Sequence, residues 1–153
     1  MRVGRSLRVA LAGAVAAGVW AAVEPLLSRA TGGYHRQARL IGGLVTPDGP
    51  WLATGLAVHL ANGAAFGIAF DRLGGHGMRR GVLAAEAENA LLWPLVGVID
   101  RIHPDVRSGK WPPLERNPHT IAQEVLGHAV FGAVLGGLLS PGDSPRTSAL
   151  TFP

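Results

Sequence analysis

Cysteine is absent from the chain, which excludes disulfides, thiolate nucleophiles, iron–sulfur clusters and thiolate zinc sites. The same absence leaves the redox compartment open. Aromatic residues are scarce at 6%, and the 14 Lys and Arg residues lie at the chain ends and between apolar stretches rather than in one dense run. A nucleic-acid interface wants a clustered basic face with stacking aromatics, so no nucleic-acid partner is expected. Scattered arginines flanking apolar segments suit anionic lipid headgroups instead. Charged residues reach only 16% against 48% hydrophobic, which is too apolar for an ordinary soluble domain of 153 residues.

The apolar residues fall in four blocks of roughly 19 to 22 residues, the length a helix needs to cross a hydrocarbon core of ~30 Å. The expectation is an all-α polytopic membrane protein: one four-helix transmembrane bundle over residues 1–140, with helices at about 7–27, 51–70, 81–99 and 119–139. A polar, disordered tail over 141–153 follows the turn Pro141-Gly142. The abundant glycine, 22 residues, fits this class, because small residues let helix backbones approach closely in lipid. The first block follows Arg2, Arg5 and Arg8 and also resembles a secretory signal peptide. Its apolar run is long for that role and more leucine follows Glu24-Pro25, so it reads as a spanning helix.

The second block opens on Trp51 and carries His59 and Asn62 beside a GxxxG pair, Gly63 and Gly67, so polar residues and the close-packing surface coincide. The third block is the most polar. Glu86, Asn89 and Trp93 share a face there, Glu88 lies about 200° round from Glu86, and Pro94 predicts a kink. The fourth, set up by Asn117-Pro118, carries Gln123, Glu124 and His128 and a second small-residue pair, Gly132 and Gly136. Residues 28–50 read as a mixed connection partly in the interface, and 100–118 as an aqueous loop without a catalytic motif. Ala65-Phe66-Gly67 echoes Val130-Phe131-Gly132, which leaves room for a duplicated helical hairpin.

Ionisable groups at membrane depth cost roughly 2.5–3.5 kcal/mol on insertion scales and therefore face the bundle interior with partners. The candidate cluster is His59, Asn62, Glu86, Glu88, Asn89, Glu124 and His128. Glu and His side by side suit proton or ion handling. His59, His128 and Glu124 offer a metal site of the imidazole–carboxylate type, and a Glu–His pair suits acid–base chemistry on a lipid-like substrate. Against these stands a structural role, in which the same residues hydrogen-bond across helices and fix their register. The ExxxH spacing of Glu124 and His128 is neither the ExxH of di-iron bundles nor the HExxH of zinc proteases. No reaction, transported species or cofactor follows from the sequence.

The closing stretch GHAVFGAVLGGLL resembles the last helix of small, uncharacterised bacterial four-helix inner-membrane proteins. That resemblance implies location and helix count and transfers no site residue. The implied partners are the lipid bilayer and, through the glycine pairs, a second copy or another membrane protein. Loop arginines and lysine tie between the two sides. The compact triplets Arg2, Arg5, Arg8 and Arg72, Arg79, Arg80 place both termini in the cytoplasm.

Overall fold

A computed structural model describes residues 2–140; the expectation for the tail, 141–153, lies outside the described residues. Helices account for most of it: α1 (Arg2–Thr31), α2 (Gln37–Val45), α3 (Trp51–Arg72), α4 (Met78–Leu92), α5 (Val96–Ile102), α6 (Pro104–Arg107) and α7 (Pro118–Leu138). A 3-10 turn at Trp93–Leu95 joins α4 to α5, and Pro94 explains it, since its ring cannot donate into an α-helical ladder. Four spans are long and apolar enough to cross a membrane: Val3–Thr31, Trp51–Arg72, Met78–Ile102 and Pro118–Leu138. The chain is a multi-pass helical membrane protein. Leu7, Leu11, Val15, Leu83, Leu91, Val125 and Leu126 point outward, as a lipid-facing surface requires.

The helices form a ring that is closed on three sides. α1 packs on α3 and on α7, and α7 packs on α4. Both hairpins cross where glycine removes the side chain. Gly63 and Gly67 of α3 lie against the Val9 and Gly13 carbonyls and the Ala17 methyl of α1. Gly132 and Gly136 of α7 lie against the Gly81 and Gly77 carbonyls at the start of α4. Both small-residue pairs are therefore covered within the chain. The fourth side, between α3 and α4, has no comparable contact, although only Leu73–Gly77 joins the two helices. α1 contributes Ala16, Ala17, Trp20 and Glu24 to the interior, so its apolar run belongs to the core of the bundle.

Two segments depart from the sequence expectation. The connection after α1 does not stay at the surface. From Gly32 to His35 the chain runs down α7, with Gly32 against His119, Gly33 against Gln123 and His35 against Glu124. Five helical residues correspond to about 7.5 Å of descent. α2 then climbs back along α3, with Gly42 and Gly55 at backbone contact with Trp51 and Ala38. Non-helical backbone at this depth is tolerable because it is buried in protein.

The loop after α5 is likewise folded rather than merely aqueous. Trp111 and Leu114 form a small core with Leu40 of α2. Asp100 accepts the backbone N–H groups of Leu114 (2.7 Å) and Glu115 (3.0 Å). Arg39 of α2 donates two bonds, of 2.7 and 2.9 Å, to Asp105. His103 caps α6 by accepting the Asp105 N–H at Nδ1 (3.1 Å), and its ring stacks on Trp111 at 4.8 Å.

This cap is acid-sensitive by construction. Burial pushes the His103 pKa down. The hydrogen bonds and charge of Arg39, helped by Lys110, hold the Asp105 carboxyl below its ordinary range. Both groups are depressed on folding, so their stabilisation is complete above the unfolded pKa values and falls as pH drops through the folded ones. A proton on His103 Nδ1 also abolishes the α6 cap. Trp111 fluorescence, read as wild type minus Trp111→Phe, should start to change below about pH 6.5 and change again below about pH 3.9. A flat trace across that range would refute the coupling.

Candidate functional site

The inward stripe of α7 sets the site: Thr120, Gln123, Glu124, Gly127, His128 and Phe131 are all buried. Asn117 starts this helix by accepting the N–H groups of His119 and Thr120, and Pro118 fits its first turn. Gly127 then makes room for the indole of Trp20, whose Nε1–Cε2 edge lies where a Cβ would be. Trp20 packs against two imidazoles, His128 at 4.7 Å and His59 at 5.0 Å between ring centroids. The His59 ring donates from Nε2 to the Ala17 carbonyl of α1 (3.2 Å).

The carboxylates are distributed among three elements. Glu124 accepts from His35 Nε2 at 2.8 Å, and His35 is fully buried. Gln123 donates from Nε2 to the His35 carbonyl (2.9 Å), so the descending backbone is held at two points. Glu24 of α1 accepts the Gln37 backbone N–H at 2.5 Å, at the amino end of α2, where the helix dipole favours a negative group. His128 donates its Nδ1–H to the Glu124 carbonyl (2.8 Å), which turns Nε2 towards Glu88 of α4, 3.8 Å away.

His35, Glu88, Glu124 and His128, though neither Glu24 nor Gln123, open onto one cavity of about 340 Å³, at the side of the ring where α3 and α4 stand apart. His35, His59, Glu88, Glu124 and His128 form its polar floor. Leu44 and Val45 of α2 line one lip, and Leu92, Leu95 and Ile99 line the other. Asn62 and Asn89 line the same space from α3 and α4. No family model, curated protein or solved structure matches the chain. The site's own geometry therefore carries the reading, and of the resemblance to bacterial inner-membrane proteins only the four membrane-length helices stand.

Of the seven residues singled out by sequence, the cavity brings together His59, Asn62, Glu88, Asn89, Glu124 and His128. Glu86 does not line it, and its Oε1 is buried without a hydrogen-bond partner. The groove face of α4 and α5 runs through Glu88, Asn89, Leu92, Val96 and Ile99, and Glu86 lies on the other side of the helix, about 200° from Glu88. Among the described residues, no group of three or more His, Asp or Glu side chains is arranged to hold a metal ion. Sequence reasoning missed Glu24, His35 and Gln37. The signal available was the Gly32-Gly33 pair ahead of His35, which lets backbone lie against α7, and a glutamate inside an otherwise apolar first block.

Proposed function

We propose that this membrane protein takes a single amphipathic molecule from the bilayer and holds it in the groove between α3 and α4. The carrying observation is the cavity itself, which joins a floor of His and Glu side chains to apolar lips at the open side of the ring. A head group reaches hydrogen-bonding partners there while its tail stays against leucine, valine and isoleucine. A volume of about 340 Å³ suits a head group and the first part of a chain.

Ion or proton passage has less support. The polar groups stop at a layer of Phe66, Phe70, Phe131 and Leu135, which pack together between the site and the end of the bundle that carries the Arg5–Asp71 ion pair. A path across the bilayer needs polar groups on both sides of such a plug.

The test is extraction of the purified full chain, with mass spectrometry of what it carries. The wild type should retain an amphipathic molecule at roughly one per chain, a stoichiometry set by a single pocket of this size. Leu92→Trp, which fills one lip, should lose most of it while keeping the same elution volume. Equal retention by the two proteins would sink the proposal.

A further inference from the structure

The head group of the bound molecule can be narrowed from the atoms left facing the cavity, an inference that rests on the groove reading above. We propose that His128 Nε2 and the Glu88 carboxyl form a two-point receptor for a hydroxyl, so that the occupant is an uncharged long-chain alcohol.

His128 Nδ1–H is committed to the Glu124 carbonyl, and Glu124 itself is committed to His35. What remains is Nε2, 3.8 Å from Glu88 Oε2. That separation is long for a direct hydrogen bond, but two bonds of ~2.8 Å can converge on one oxygen placed between the two atoms. Net charge at this depth is costly, so the facing pair carries one proton between them. Whichever atom holds it, one member of the pair donates and the other accepts. A hydroxyl answers both at once, because it donates one hydrogen and accepts at its lone pairs. An ammonium only donates. A phosphate or carboxylate only accepts, and among the described residues no Lys or Arg lines the cavity to meet its charge, whereas Glu88 and Glu124 do line it.

A second observation also points to a ligand. Among the described residues His35 Nδ1 and Gln37 Oε1 are buried without a protein partner, and both residues line the same cavity. Buried polar atoms in native structures are ordinarily satisfied. Both atoms are acceptors, and since the hydroxyl has one hydrogen, already given to the pair, they are met by water held in the cavity beside the occupant.

The experiment uses the full chain in lipid nanodiscs with a diazirine-bearing hexadecanol as photoprobe. Competitors are unlabelled hexadecanol, hexadecyl phosphate and hexadecylamine. Labelling should fall on the Leu92–Ile99 segment, and hexadecanol should compete at least about tenfold better than the other two. Leu92→Trp should abolish labelling. Glu88→Leu should flatten the preference for alcohol, a ratio that does not depend on how much protein folds. Phosphate or amine competing as well as the alcohol, or a preference that survives Glu88→Leu, overturns the hydroxyl receptor and leaves the groove in place. Absence of any labelled groove peptide overturns the groove reading and this one together.

Discussion

Replacing Glu124 with alanine is expected to cost about 3–5 kcal/mol of stability, the range seen when one partner of a buried pair is removed. The reason is the position of His35. Its ring is fully buried, its Nε2 has Glu124 as its hydrogen-bond partner at 2.8 Å, and its Nδ1 already lacks one. Alanine at 124 leaves both ring nitrogens stranded and opens a void beside them. Glutamine at 124 keeps an oxygen that can accept from Nε2, so Glu124→Gln should lose only about 1–2 kcal/mol. Denaturant titration of the two variants in detergent, followed by circular dichroism, measures the difference. If the alanine variant unfolds no earlier than the glutamine one, the pair does not organise the interior. The descent from Gly32 to His35 is the part expected to loosen first, because its deepest side-chain bond to α7 is then gone and the Gln123 and Thr120 contacts remain.

Enlarging the crossing glycines should have an effect of similar size by the opposite route. At Gly63 a Cβ would stand 2.6 Å from both the Gly13 carbonyl oxygen and the Ala17 methyl carbon. At Gly132 it would meet the Gly81 carbonyl, and neither helix backbone can yield locally. Isoleucine at either position forces two helices apart along their length, with a cost of about 3 kcal/mol or more, at the upper end for overpacking. The expected readout is a lower unfolding midpoint with the assembly state unchanged. Gly137 is the internal control, since nothing lies within 4 Å of its Cβ position. Gly137→Ala should be neutral or slightly stabilising. Dissociation of an oligomer at unchanged stability of the single chain would instead show that these faces bind a partner.

The long helices were legible because a span of apolar residues fixes both length and class, and Pro94 marked the break in the third, which takes the form of a 3-10 turn. The cavity was legible in part. His59, Glu88, Glu124 and His128 lie near the middle of apolar spans, and such residues have to face inward. What stayed hidden was everything that depends on long-range pairing. α2 is nine residues of moderate apolarity, too short for a spanning signal, and nothing local says that Gly42 and Gly55 let it lie against α3. Glu24 sits one residue before a proline near the end of α1, where a carboxyl group ordinarily reaches water, so its role at the start of α2 was invisible. Glu86 lies outside the cavity that Asn89 and Trp93 line for a different reason. Spacing alone says which residues share a face but not how wide the groove is. An opening lined by both Glu88 and Asn89 leaves Glu86 behind.

The descent of residues 32–35 also sets an order of events during synthesis. His35 and its partner Glu124 are 89 positions apart, and Gln123 is 88 from the same residue. A ribosome adding about 5–20 residues per second needs roughly 5–20 s to cover that distance. Throughout that interval α1 and α3 can already cross at their glycines, while Tyr34 and His35 have no wall to descend against. The site is therefore completed late: α7 seats a segment that was made more than 80 residues before it.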